Sequence, residues 1–209
     1  MLARHWGSQI ASFPRTLSMM AALLVPENHR LRFKTEQFIR AVYLEEYKAT
    51  LGAFPSKLLA VLDEHGNIIC AAGLRSCHDG FFSECYLDQP IEAALTQATG
   101  RSVRRQSVFE ISTFASRAPN LIVCFIGQII EYGEAAGFDW AFFTLTRRLR
   151  LLLNRIGLDL TPLGSADSAR LTDPTSWGSY YETDPGIYAG GRDSFSALFE
   201  SRHRIASNA

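Results

Sequence analysis

The sequence predicts an α/β protein of the α+β kind, built on a mixed, mostly antiparallel sheet with helices on both faces. Three observations predict it. The chain has 209 residues, enough for one domain with a core that needs no disulfide or metal staple. Hydrophobic residues at 47% against charged residues at 20% are the balance of a folded globular chain, not a disordered one. The periodic segments run strand, helix, antiparallel strands, then strand–helix–strand–helix, and a strand–helix–strand crossover beside antiparallel strands makes a mixed sheet.

Each element has its own signal. A short apolar run at 18–25, bounded by Pro26, reads as a buried strand. Over 34–49 the apolar Phe38, Ile39, Val42, Tyr43 and Tyr47 recur at helical spacing, and Gly52 and Pro55 end the pattern. Residues 57–63 and 68–74 are strands joined by the turn Glu64-His65-Gly66-Asn67, hence a hairpin. A further strand is expected at 81–87. Pro90 opens a short helix closed by Gly100. The run 107–115 is a strand rich in aromatic and β-branched residues, Pro119 opens a helix through Ala136, and 138–145 is a strand. A basic amphipathic helix follows at 147–155, and 158–163 is expected as the last strand. Beyond Gly164 the chain turns polar yet keeps Trp177, Tyr180, Tyr181 and Tyr188, too many aromatics for a disordered tail.

Charge and cysteine usage exclude several classes. Lys+Arg and Asp+Glu are 21 each, so no net field draws the chain to nucleic acid or to an anionic membrane. Cys70, Cys77, Cys85 and Cys124 include no C-x-x-C pair and no finger-like histidine spacing, so no metal site is expected and a reducing compartment suits them. The apolar stretch at 19–25 is short, lies late and lacks a small-x-small cleavage site, and nothing approaches the ~20 apolar residues of a membrane span. A soluble cytoplasmic protein with no nucleic-acid partner and no transmembrane segment is expected.

One strand carries the chemistry. Alternation places Glu110, Ser112 and Phe114 on one side of 107–115, and Phe109, Ile111 and Thr113 on the other. A carboxylate in an apolar strand costs several kcal/mol unless partnered or solvated. Glu110 is therefore either an ion-pair partner for an arginine such as Arg75 or a base with a raised pKa.

The order of elements suits the acyltransferase fold of the GCN5-related type, in which two central parallel strands splay apart and the opened edge accepts an extended pantetheine arm. The expected organisation is a flexible segment at 1–17, the acyltransferase-like domain at 18–164, a C-terminal segment packed on it at 165–200 and a tail at 201–209. Ala72-Gly73-Leu74-Arg75 and Phe109-Glu110-Ile111-Ser112-Thr113-Phe114 resemble the motifs of the N-acyl-homoserine lactone synthases. Where that motif has an arginine after its serine, this chain has Thr113, which argues against S-adenosylmethionine as the amine. A closer resemblance covers about residues 30–195: the thermostable hemolysin family. It rests on Phe38-Ile39-Arg40 with Glu46-Tyr47, Gly73-Leu74-Arg75, Glu84-Cys85-Tyr86-Leu87 before Pro90-Ile91-Glu92, Phe142-Phe143-Thr144 with Thr146-Arg147-Arg148-Leu149, and Trp177-Gly178-Ser179-Tyr180-Tyr181.

The resemblance implies acyl transfer from a carrier thioester to an amino-acid-like amine, with or without cyclisation of the product. Glu110 is the first candidate base and Glu84 the second, strand N–H groups stabilise the oxyanion, and a hydroxyl of Tyr180 or Tyr181 supplies a proton to the thiolate. Arg75 holds a carboxylate of the acceptor, with Ser112, Thr113 and Phe114 beside it. Arg32, Phe38, Glu46 and Tyr47 contact the acceptor, and Thr144 and Trp177 complete the substrate set. The donor phosphate is expected where the Pro119 helix begins, next to Arg117. The acetyl-CoA loop Gln/Arg-x-x-Gly-x-Gly/Ala is replaced by Ser116-Arg117-Ala118-Pro119-Asn120, which leaves room for an acyl carrier protein. The run Arg147-Arg148-Leu149-Arg150, with Arg101, Arg104 and Arg105, is a candidate docking face for it. No cofactor is held permanently; acyl-ACP or acyl-CoA is a co-substrate. Against the enzyme stand a non-catalytic acyl- or lipid-binding protein and a haemolysin, as the family name says. With no spanning helix, no run of barrel strands and no export signal predicted, a haemolytic phenotype points to an acylated, surface-active product.

Overall fold

The computed structural model describes residues 20–195. The segment expected at 1–17, the first two residues of the strand expected at 18–25, the stretch 196–200 and the tail 201–209 lie outside the described residues.

One seven-stranded sheet runs through the described chain. Its strands are β1 (Leu23–Pro26), β2 (Lys57–Leu62), β3 (Ile68–Arg75), β4 (Val108–Ser116), β5 (Trp140–Leu145), β6 (Thr161–Ser165) and β7 (Gly186–Gly191), in the order β1-β2-β3-β4-β5-β7-β6. Every neighbouring pair is antiparallel except β4 and β5, which are parallel and joined by a helical crossover. The helices are α1 (Arg32–Tyr47), α2 (Ile91–Thr99), α3 (Ile122–Ala135) and α4 (Arg147–Arg155).

Alternation along the strands sorts the core into two faces. On one, Phe125, Ile129 and Ile130 of α3 and Leu153 of α4 pack on Leu74, Phe109, Ile111, Ala141 and Phe143. On the other, α1 lays Phe38, Ile39 and Val42 on Leu58, Ala60 and Ala71, and α2 lays Ile91 and Leu95 on Val108, Phe142 and Ile187. Side chains such as Phe142 and Ile187 are wholly buried, each stabilising the fold by roughly 1.5–3 kcal/mol.

Four expectations need correction. The strand expected at 81–87 is a 3₁₀ turn at Ser83–Tyr86, because the backbone N–H groups of Phe82 and Ser83 serve a buried carboxylate and not a strand ladder. The helix expected from Pro119 begins with a 3₁₀ turn (Pro119–Leu121), and α3 proper starts at Ile122. The strand expected at 158–163 is β6 at Thr161–Ser165, an edge strand that tolerates Pro162. It is not the last: β7 follows it in sequence and inserts between β5 and β6. Three glycines in six residues hide β7 from any propensity reading. Gly190 is there because a β-carbon would stand 2.4 Å from the ring of Phe195, which caps that strand.

Candidate active site

The parallel pair β4–β5 opens part-way along. Its register runs from Val108↔Trp140 to Ile111↔Phe143 and stops, while β4 continues to Ser116 on β3 and β5 continues to Leu145 on β7. The cause lies in β4. Between Ala71↔Ala115 and Gly73↔Ser112 it carries one residue more than β3, and Thr113 takes a left-handed φ of 46°. A bulge of this kind bends its strand and increases the local twist. Gly73 permits it: a β-carbon there would meet Ser112 Oγ at 2.7 Å and Thr113 Oγ1 at 2.9 Å. The bulge also resets the alternation. Phe114 turns to the α3 face, 5.5 Å from the ring of Phe125, and does not share the side of Glu110 as strict alternation predicts.

A cavity of about 1260 Å³ occupies the gap and reaches both faces of the sheet. Its α3/α4 side is apolar, with Phe114, Ile122, Ile126, Phe143, Leu149, Leu152 and Leu153. Its α1 side carries Arg75, Ser83, Glu110, Ser112, Thr113 and Thr144, walled by Tyr43, Tyr47, Tyr86, Trp177 and Tyr180. The 176–179 stretch brings the last of these aromatics in by bonding to the end of α1: Thr50 N–H donates to Ser176 O at 2.6 Å and Ser179 N–H to Tyr47 O at 2.8 Å. The apolar chamber and the polar chamber meet where β4 and β5 part.

Glu110 has no exposed surface. Its Oε1 accepts from Ser83 N–H (3.0 Å) and from Ser83 Oγ (2.7 Å), and its Oε2 accepts from Phe82 N–H (2.7 Å). Arg75 stands opposite it in the β3–β4 register but makes no ion pair with it. Burial pushes the Glu110 carboxyl above the usual range, and the Ser83 and Phe82 donors and the Arg75 charge pull it only part of the way back. Of the two alternatives for Glu110, ion pair or base with raised pKa, the first has no contact behind it: its carboxylate is held by neutral donors alone among the described residues. Arg75 Nε, Ser112 Oγ and Thr113 Oγ1 are buried and bond to nothing among the described residues. Three such groups beside one cavity are a ready anion or carboxylate site, since unmet buried polar atoms are rare and costly.

The second candidate base, Glu84, does not line the cavity. Glu84 receives a bidentate pair from Arg105 (Nη2 to Oε2, 2.7 Å) and accepts Ile91 N–H (2.8 Å) at the start of α2, away from the cavity lining. Burial raises its pKa, but the Arg105 and Ile91 bonds more than offset that and hold it below the usual carboxylate range. Arg32 is also absent from the cavity: it binds Pro55 O, Ser56 O and Glu36, tying α1 to the chain before β2. Phe38 packs under α1, with the Arg117 guanidinium 5.7 Å from its ring centre. Glu46 and Tyr47 do reach the cavity, the first exposed at its rim. Tyr180 lines it, packed against Tyr43, Tyr47 and Trp177, and burial lifts its hydroxyl far above the ordinary tyrosine value. Tyr181 lies behind it, its hydroxyl bonded to that of Tyr86 and pushed up to about 12 by burial. A group so reluctant to ionise donates hydrogen bonds more readily than protons.

Arg117 lines the cavity but is paired with Glu45. Arg147, with Arg148 and Arg155, stands exposed at the cavity mouth without an ion pair among the described residues. The wider basic run is largely taken up: Arg150 by Tyr188 and Asp184, Arg101 by Asp193, and Arg105 by Glu84 and Glu92. Sequence reasoning misses Ser83, Phe82, Tyr43 and Tyr86. Only the Asp79-Gly80 turn signal ahead of Ser83 hints that this stretch is not a strand.

A family model described as thermostable hemolysin matches residues 25–195. No curated protein matches the chain. Among solved structures, the chain is similar to MesI, a CoA-dependent acyl-homoserine lactone synthase, at 17% identity and a TM-score of 0.51, covering 86% of this chain and 94% of that one. It is similar to the AHL synthase LasI at 10% identity and a TM-score of 0.56, over 81% and 88% of the two chains. FeeM, an N-acyl amino acid synthase from uncultured soil microbes, aligns at 10% identity and a TM-score of 0.57, over 87% and 95%. At these identities the likeness establishes the acyltransferase-like fold expected from the order of elements.

Proposed function

The chain belongs to the thermostable hemolysin family, and we propose that it is an N-acyltransferase that moves an acyl group from a carrier thioester to an amino-acid-like amine. One observation carries this reading. The cavity joins an apolar chamber to a polar one through the β4–β5 gap, with a buried carboxylate on the polar side that has no ion-pair partner among the described residues.

An acyl chain fits the apolar chamber between α3 and α4, with its thioester in the gap. From Ser112 onward β4 has no partner on the β5 side, so its backbone is available to the pantetheine arm and to the oxyanion. The acceptor amine enters beside Glu110, its carboxylate on Arg75, Ser112 and Thr113. Glu110 accepts the amine's proton, nitrogen attacks the carbonyl carbon, and the C–S bond breaks. With Thr113 where a second cation would stand, the acceptor site suits a single carboxylate. Arg147 and Arg148 stand at the start of α4, where the helix dipole adds positive potential, and Arg155 joins them at the cavity mouth from the last turn of that helix; the three suit a phosphorylated donor, either CoA or an acidic carrier protein. In this reading the described part of the acyltransferase-like domain, 20–164, carries the acyl and base side, and the described part of the C-terminal segment, 165–195, closes the acceptor side with Trp177 and Tyr180. Such an enzyme works where acyl thioesters are made, in the cytoplasm, and among the described residues no helix is long and apolar enough to cross a membrane. Lysis of cells then follows from an acylated product.

The test is release of free thiol from acyl-CoA or acyl-ACP by purified protein in the presence of amino acids, with the N-acyl product identified by mass. Thiol release that needs both substrates supports the reading. Tight acyl binding with no turnover, unchanged in Glu110→Gln, replaces it with a binding protein. Lysis of liposomes by protein freed of small molecules replaces it with a direct haemolysin.

A further inference from the structure

A base with no exposed surface cannot touch its substrate, and Glu110 is such a base. This inference rests on that assignment and concerns how the proton reaches it. The side chains around Glu110 form a single line. Thr144 Oγ1 is 2.8 Å from Ser83 Oγ, and Ser83 Oγ is 2.7 Å from Glu110 Oε1. Thr144 sits on β5 one residue past Phe143, the last residue paired with β4, and it faces the gap.

Chemistry fixes the direction of the line. An ionised carboxylate only accepts, so Ser83 must donate its hydroxyl proton to Glu110. Ser83 Oγ then accepts at Thr144, and Thr144 must be the donor of that bond. The free lone pairs of Thr144 Oγ1 are left facing the cavity, where they can accept from an N–H. The N–H groups of Phe82 and Ser83 meanwhile hold both carboxylate oxygens in place. We propose that Thr144 and Ser83 are a hydroxyl relay carrying the proton of the attacking amine to Glu110, with Thr144 as the group that touches the substrate.

The step balances. The amine lone pair forms the C–N bond at the thioester carbon. The proton on nitrogen passes to Thr144 Oγ1 as that of Thr144 passes to Ser83 and that of Ser83 to Glu110. The C–S bond then breaks, and the departing thiolate takes up the proton that Glu110 releases on returning to its ionised state. Amine and thioester become amide and thiol, with each hydroxyl restored.

Thr144→Val tests this best, because it removes one hydroxyl, keeps the shape, and leaves every hydrogen bond to Glu110 intact. The expected result is a fall in kcat of roughly 10–100-fold, less than the ~10²–10⁴-fold of losing the general base outright, since Glu110 itself remains. KM for both substrates stays within about twofold, and the solvent deuterium isotope effect changes. Thr144→Ser, which keeps the hydroxyl, recovers kcat to within a few fold. Ser83→Ala falls by a similar factor, and the double variant is no worse than either single one, since a broken line cannot be broken again. A Thr144→Val enzyme with wild-type kcat overturns the relay, as does a Thr144→Ser variant as impaired as Thr144→Val. Loss of activity in Glu110→Gln with full activity in Thr144→Val removes the relay and leaves the base. Full activity in Glu110→Gln removes the base reading itself. Should Ser83→Ala fail to fold, the two Thr144 variants decide alone.

Discussion

The neighbourhoods of Glu84 and Glu110 differ in one respect that decides what each can do. Both carboxylates are bound up with the short turn Ser83–Tyr86, Glu84 as a member of it and Glu110 as the group held by the N–H of Ser83 and of Phe82 just before it. At the α2 end, Glu84 is neutralised by Arg105 and capped by Ile91 N–H, and its pKa is held down. At the β4–β5 end, Glu110 has only neutral donors, more complete burial and a raised pKa. A carboxylate matched with a guanidinium is fixed as an ion and serves as a joint. One held by hydroxyl and amide donors alone remains able to take a proton. The contrast teaches that fuller burial and the lack of a paired cation together leave Glu110 able to take a proton, while Arg105 fixes Glu84 as an ion.

Charge-neutral substitution at each position gives the largest test of that contrast. Glu110→Gln is expected to lower kcat by about 10²–10⁴-fold. Glu84→Gln leaves activity per folded molecule within about threefold while lowering stability, since it breaks charged hydrogen bonds worth roughly 1.5–3 kcal/mol each. Turnover measured alongside urea unfolding checks both. Equal losses of turnover in the two variants would erase the distinction.

Arg75 sharpens it from the cationic side, being the arginine that Glu110 does not claim. Arg75→Gln is expected to raise KM about 10–100-fold for an acceptor bearing a carboxylate, with much less change for the corresponding carboxamide. A uniform loss on both acceptors would make Arg75 a fold residue instead.

How far the sequence carries the reader follows the same line. The hairpin, the four helices and the β4 and β5 strands are legible because their apolar periods are local. Glu110 and Arg75 stand out because a charge in an apolar strand is an anomaly wherever it occurs. Glu84 does not declare its role, since Arg105 lies 21 residues away and their pairing is a product of the fold. Ser83 is invisible for the same reason: an ordinary serine becomes part of the site only when a turn lays it against Glu110 and Thr144. The bulge at Thr113 is equally hidden, because strict alternation gives no warning of an inserted residue, and Phe114 is misplaced as a result. β7 escapes because its glycines answer to Phe195 and Trp140 and not to strand propensity.

The two acids also predict opposite slopes of stability with pH. Glu84 has a folded pKa below the ordinary value of about 4.3, so its contribution is full above that pH and is lost as pH falls through the folded value. Glu110 has a folded pKa above it, so its contribution is full below about pH 4.3 and is lost as pH rises through the folded value. As pH rises through these windows, the stability of Glu84→Gln relative to wild type should fall and that of Glu110→Gln should rise. Neither slope should exceed about 1.4 kcal/mol per pH unit. Denaturant unfolding at a series of pH values measures both, and slopes of the same sign would contradict the assignment.

The smallest effect extends the comparison to the surface. Arg101, Arg105 and Arg150 have acidic partners within the fold, whereas Arg147, Arg148 and Arg155 have none among the described residues and ring the cavity mouth. Clustered like charges repel, and Arg147 and Arg148 at the start of α4 also oppose the helix dipole, so their placement is a cost to the free protein that an anionic donor would relieve. Arg148→Ala is expected to raise KM for the thioester a few fold, to flatten the dependence of that KM on salt, and to shift stability by no more than about 0.5 kcal/mol. If instead KM holds and stability drops, the rim arginines are joints like Arg105, and the division between paired and unpaired charge does not reach beyond the cavity.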